Sequence, residues 1–108
     1  MKFDHYNFDS SIKQNLEALG FKKPTDIQFK SIPSIMKGED VLAIAQTGTG
    51  KTAAFAIPII DMIKTQKRCD VAKYTRAVVM VPTHELAMQI ERVFKEIGKD
   101  TDVWPLAV

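Results

Sequence analysis

Eight residues, Ala45 to Thr52 (AQTGTGKT), combine two glycines, three threonines and one lysine within a single turn. Residue types so spaced suit one task, the enclosure of a phosphate chain. Glycine at 48 and 50 lets backbone N–H groups approach an anion with no Cβ in the way. Lys51 supplies a mobile cation for the outer phosphates, and the neighbouring Thr52 hydroxyl can reach a divalent cation held by them. The strict pattern G-x-x-x-x-G-K-T has glycine first, where this chain has Ala45. The bland alternative is a glycine-rich turn with a surface lysine. A buried strand before the turn and a helix after it weigh against that alternative. Such a loop implies a nucleoside triphosphate, but names neither the base nor the work done.

The neighbouring segments have the patterns needed to position the loop. Residues 40–45 (DVLAIA) and 76–81 (RAVVMV) are short, nearly continuous apolar runs, as expected of parallel strands buried on both faces. Each precedes a helical pattern. The first helix is predicted from near Gly50 to about Lys64, with Pro58 as a kink. The second is predicted from about Thr83 to Ile97, with Leu86, Ile90, Val93, Phe94 and Ile97 at helical spacing. A third apolar run, 103–108 (VWPLAV), comes after it. Strand–helix–strand–helix–strand reads as an α/β fold, a parallel sheet with right-handed crossovers. The connection at 64–76 reads as a basic, solvated surface segment.

Two helices are predicted upstream. Ile12, Leu16 and Leu19 share one face of the first, from Asp9 to Leu19, with Asp9, Ser10 or Ser11 as cap. Gly20 is placed for a left-handed C-terminal turn, with Phe21 packing back and Pro24 preventing continuation. The second opens at TDIQ, where Thr25 and Gln28 match a capping box. It is disturbed by Pro33 and ends before Gly38.

Composition narrows the class. Hydrophobic content of 45% and charged content of 26% suit a folded domain. A net charge of +2 gives no global basic field for nucleic acid. The single cysteine, Cys69, cannot form an internal disulfide, and His5 and His84 with it make no metal-ligand pattern. No apolar run approaches membrane-spanning length, and the first residues lack a signal-peptide core. The expectation is a cytoplasmic protein. An open edge on a three-stranded sheet further predicts backbone groups that need a partner.

Three stretches, in this order, resemble the DEAD-box family of ATP-dependent RNA helicases. AQTGTGKT is similar to that family's phosphate loop, including the alanine at its first position. GFKKPTDIQ, residues 20–28, resembles its Q motif, and Phe3 stands where the family has an isolated aromatic. PTHELAMQ, residues 82–89, resembles the family motif Pro-Thr-Arg-Glu-Leu-Ala.

The resemblance covers essentially the whole chain. It implies a helical Q-motif region at 1–38 followed by a partial RecA-like P-loop NTPase domain at 39–108, the first half of the family's first such domain. It also implies ATP and Mg2+ as cofactors and RNA as partner. ATP would be bound by Phe3, Phe21, Gln28, Ala45, Gln46, Thr47, Gly48, Thr49, Gly50, Lys51 and Thr52. Lys51 and Thr52 would serve the chemistry, with Thr52 on the magnesium. Gln28 would read the adenine edge and Phe3 would stack on the base. Pro82, Thr83 and His84 would touch RNA phosphates.

His84 departs from the family's arginine. Histidine is shorter and lacks a permanent charge and a planar fork. The family's Asp-Glu-Ala-Asp and Ser-Ala-Thr motifs and its second RecA-like domain do not occur in these 108 residues. This chain would therefore bind ATP and part of the RNA, whereas the intact parent would unwind short duplexes. The alternatives are a non-catalytic nucleotide-binding module and a P-loop ATPase acting on DNA or protein. Each site residue also has a plainer role: Gln28 as the third residue of a capping box, Phe3 as a core ring, Thr83 as an N-cap and His84 as a solvated helix-start residue.

Overall fold

A computed structural model of the chain describes residues 2–3, 6–44, 50–65, 75–101 and 103–108. Four helices occur in order: α1 (Ser10–Ala18), α2 (Asp26–Met36), α3 (Lys51–Thr65) and α4 (His84–Ile97). Each lies within a residue or two of its expected span, because the local chemistry at its ends is explicit. The Asp9 carboxylate caps α1 by accepting from Ser11 N. Gly20 takes φ +85°, and the chain closes with Phe21 N donating to Leu16 O and Gly20 N to Glu17 O. This is the full left-handed C-terminal motif that glycine makes possible. Thr25 and Gln28 cap α2 reciprocally, and the helix runs through Pro33 without ending there. Pro58 is likewise accommodated inside α3, where it is fully buried.

The helices share one core. Ala53, Ala54, Ala56, Ile57 and Ile60 bury almost every side of α3, which packs against both α2 and α4. Ile12 and Leu16 of α1 and Ile90, Phe94 and Ile97 of α4 complete the interior with Ile32 of α2. Tyr6 stacks on Phe8 with ring centroids 5.0 Å apart, closing the end of the core where the chain begins. Among the described residues, no helix is long and apolar enough to cross a membrane.

The three apolar runs differ from expectation. Among the described residues no strand is formed at 40–44, 76–81 or 103–108, and no backbone hydrogen bond joins one run to another. The physical reason is that a strand exists only with a neighbouring backbone edge. The helices offer these runs an apolar face but no such edge. Two of the runs have one better-covered side, where Val81 and Val103 pack on the helical core; residues 40–44 are exposed throughout, and Leu42, Ile44, Met80, Trp104, Leu106 and Val108 are each more than four-fifths exposed. The run at 103–108 is also tied to α4, because Ala107 N donates to the Glu91 carboxylate. That bond, with the Lys95 ammonium 3.0 Å from the same carboxylate, holds Glu91 below the ordinary carboxylate range.

Candidate functional site

Gln28 lies at the third position of α2 and is 1% exposed. Its side-chain oxygen accepts from Thr25 N at 2.9 Å, completing the cap. Its amide nitrogen donates to the carbonyl of Gly50 at 3.1 Å. This bond spans 22 residues of sequence and brings the start of α2 to the start of α3. One side chain therefore serves both a helix cap and the exit of the glycine-rich loop. An amide has two N–H donors and a carbonyl oxygen with two lone pairs, so each end of Gln28 retains one unused valence.

Gly50 is shaped for this contact. Its φ is +83°, the left-handed region that side-chain-bearing residues avoid. A Cβ placed there would stand 2.5 Å from the Gln28 amide nitrogen and 3.3 Å from the Thr25 hydroxyl. Lys51 and Thr52 come next, in the first turn of α3. Lys51 is exposed and Thr52 half-buried. Both stand where the positive end of the helix dipole favours an anion. Ala45, Gln46, Thr47, Gly48 and Thr49 lie outside the described residues.

Phe3 lies inside the helical core. The resemblance implies that its ring stacks on a base, yet Phe3 is 3% exposed and belongs to the core. Its backbone N–H donates to Lys22 O at 3.1 Å. Its ring meets Phe21 edge-on at 6.1 Å and Tyr6 at 6.1 Å. Phe3 supports Phe21 from within, and Phe21, half-buried and packed against the core, is the more accessible ring of the two.

The second cluster lies at the start of α4. Thr83 caps the helix by accepting from Leu86 N at 3.2 Å. Pro82, Thr83, His84 and Glu85 are all exposed. The helix thus presents its N-terminal amides to solvent, next to one imidazole and one carboxylate.

Two polar side chains missed by sequence reasoning hold these parts together. Asp61, buried in α3, accepts from Asp9 N at 2.8 Å and so ties the start of α1 to α3. Burial pushes its carboxyl above the ordinary range; the Asp9 N–H opposes this and the Asp9 charge reinforces it. Asn15 donates both amide hydrogens to the end of α4, to Ile97 O at 2.8 Å and Lys99 O at 2.6 Å. A signal was available for each. Asp61 is the only acid in a mostly apolar helix, and Asn15 falls three residues after Ile12 on the buried face of α1.

Comparison with known proteins agrees with this arrangement. The family profile described as DEAD/DEAH box helicase matches residues 25–106. The chain is 43% identical over 99 residues to the ATP-dependent RNA helicase DBP10 of Vanderwaltozyma polyspora, covering 92% of this chain and 10% of that protein. It is also 43% identical over 99 residues to the DEAD-box ATP-dependent RNA helicase RhpA of Helicobacter pylori, covering 92% of this chain and 19% of the relative. The chain therefore spans only about a tenth to a fifth of the length of these relatives.

Its structure superposes on a DEAD box protein from the hyperthermophile Methanococcus jannaschii with a TM-score of 0.83 and 34% identity. That match covers 95% of this chain and 27% of the other. The α/β fold expected from the order of runs and helices, and RecA-like by the resemblance, is thus the fold of its structural neighbours, here present in part. With the profile spanning three-quarters of the sequence, the chain belongs to the DEAD/DEAH box helicase family.

Proposed function

We propose that this chain supplies the ATP–Mg2+ site and part of the RNA face of a cytoplasmic ATP-dependent RNA helicase, whose intact form separates short RNA duplexes. The observation that carries this reading is the hydrogen bond from Gln28 to Gly50 O, which joins the Q segment to the loop before Lys51. Lys51 would neutralise the outer phosphates, and the Thr52 hydroxyl would help hold the magnesium that accompanies them. Phe21, backed by Phe3, offers its ring to the base. Gln28 has a donor and an acceptor to spare, the pair that an adenine edge requires: an acceptor at N7 and a donor at N6. The spare N–H would donate to N7 and the spare lone pair would accept from the N6 amine, with the bonds to Gly50 O and Thr25 N kept. The exposed N-terminus of α4 takes an RNA phosphate on its free amides, with His84 alongside.

The test of base reading changes the ligand and leaves the protein intact. Gln28→Glu would place a carboxylate against the Gly50 carbonyl and damage the loop regardless of any base. 7-Deaza-ATP lacks only the N7 acceptor. Its affinity should be about tenfold lower than that of ATP, the usual cost of one lost hydrogen bond in a desolvated site. Lys51→Ala should abolish binding of both. Equal affinity for ATP and 7-deaza-ATP would remove Gln28 as the reader of N7. For the RNA face, His84→Arg adds a permanent charge. It should raise single-stranded RNA affinity and steepen its logarithmic salt dependence by about 0.7. An unchanged slope would take His84 off the RNA.

A further inference from the structure

We infer that Asn15 is a positioning residue for the base end of the nucleotide site, an inference that rests on the reading of Phe21 and Gln28 above. The side-chain hydrogen bonds of Asn15 go to neither residue. It lies on α1, which carries none of the motif residues, and its amide closes on two carbonyls at the end of α4. The Ile97 carbonyl, in the last turn of α4, has no partner within the helix, and Lys99 lies just past the Gly98 cap, so both acceptors are available and directional.

The apolar contacts of α1, made through Ile12 and Leu16, are not directional. They hold the helix in its groove without fixing how far along the groove it sits. Two hydrogen bonds from one rigid amide do fix that position. A second pin at the other end, Asp9 N to Asp61 on α3, fixes the rotation of α1 about the first.

The register of α1 matters because the helix leads directly into the Q segment. Leu16, one residue after Asn15, accepts from Phe21 N at 2.9 Å. Gly20 closes the turn, and the next residue but one, Lys22, is bonded through its carbonyl to Phe3 N at 3.1 Å. The chain from Asn15 to Phe21 is therefore continuous, hydrogen-bonded structure with no slack loop. A slip of α1 along α4 carries the Phe21 ring with it. The phosphate end is anchored separately, because Gly50, Lys51 and Thr52 belong to α3 and its approach. Asn15 thus acts on base binding and leaves phosphate binding alone, a division that a merely structural residue would not produce.

The experiment compares ATP with inorganic tripolyphosphate, which lacks the base, on the full chain. Asn15→Leu removes both donors while keeping similar volume and helix propensity. ATP affinity should fall about five- to tenfold, within the range that one aromatic stack contributes to base binding. Tripolyphosphate affinity should stay within about twofold, as expected where no phosphate contact is altered. Asn15→Gln retains both donors on a longer arm and should fall between wild type and Asn15→Leu. It also serves if the leucine variant melts too low to assay.

Parallel loss of ATP and tripolyphosphate affinity in both variants would make Asn15 a stability residue only and overturn the inference. Unchanged affinity for both ligands would overturn it too. If wild type itself binds ATP no better than tripolyphosphate, the base-reading proposal fails instead, and that result is visible before any variant is made.

Discussion

The three extended runs are more apolar than the helical layer, yet it is the helices that bury their side chains. In the helical layer, Ile12, Ile32, Ile57, Ile60 and Ile97 are completely buried. In the runs, Leu42, Ile44, Met80 and Leu106 are almost completely bare. The difference is one of partners rather than of hydrophobicity. A helix satisfies its own backbone and needs neighbours on one stripe only, whereas a run of parallel-sheet type needs backbone on both edges and side chains on both faces.

The surface shows the consequence. A folded monomer of 12.1 kDa exposes about 6,000 Å2, and this chain exposes 7848 Å2. The excess is roughly twice what one partner contributes to a standard protein–protein interface, and the bare side chains of the runs are part of it.

The sharpest way to break this comparison is to truncate one residue from each region. Ile57→Ala should destabilise the chain by about 2–5 kcal/mol, the cost of a cavity in a packed core. Ile44→Ala should cost less than about 0.5 kcal/mol, as at an ordinary exposed position. Urea unfolding of the two variants reads both numbers. Equal losses would mean that the runs are as well packed as the helices.

Gly50→Ala should come next in size. A left-handed backbone costs a residue with a Cβ about 1–2 kcal/mol, and the displaced Gln28 amide adds to that. The melting temperature should fall, and the affinity for ATP should fall with it. Loss of stability alone, with full nucleotide affinity, would separate the Gln28–Gly50 contact from the site.

Removing the α2 cap by Thr25→Ala should cost about 1 kcal/mol. Circular dichroism in a urea series measures it, and a neutral result would show that the Gly50 contact alone holds Gln28.

The smallest effect concerns pH. The Asp61 carboxyl is raised in the folded chain, so the fold binds its proton more tightly than the unfolded chain does. Stability should therefore fall as pH rises from the unfolded value, about 3.9, through the raised folded value, and stay lower above it. Asp61→Asn keeps an acceptor for Asp9 N and should flatten that slope. Urea midpoints measured from acid to neutral pH would reveal it, and an unaltered slope in the variant would assign the dependence elsewhere.

Legibility in the sequence divides along the same line. Helix starts at Asp9, Thr25 and Thr83 and the turn at Gly20 depend on residues close to one another in the chain, so short patterns suffice. The pairing of the runs depends on backbone far away in sequence, and no local pattern supplies it. The site divides likewise. Lys51, Thr52 and Gln28 stand out by motif, yet the burial of Phe3 comes from contacts with Tyr6 and Phe21 that spacing does not encode. Asn15 and Asp61 work across 82 and 52 residues, respectively. Their only trace is a polar residue on an otherwise apolar face.

The double duty of Gln28 has a consequence for observing the molecule. Its oxygen shields the amide proton of Thr25 while its nitrogen holds the loop at Gly50. Anything that pulls the side chain out of place disturbs that shield, although Thr25 itself touches no ligand. The Thr25 amide is thus a built-in exchange probe: its exchange with deuterated solvent, or its nitrogen chemical shift, reports whether Gln28 still holds Gly50, 22 residues further along the chain.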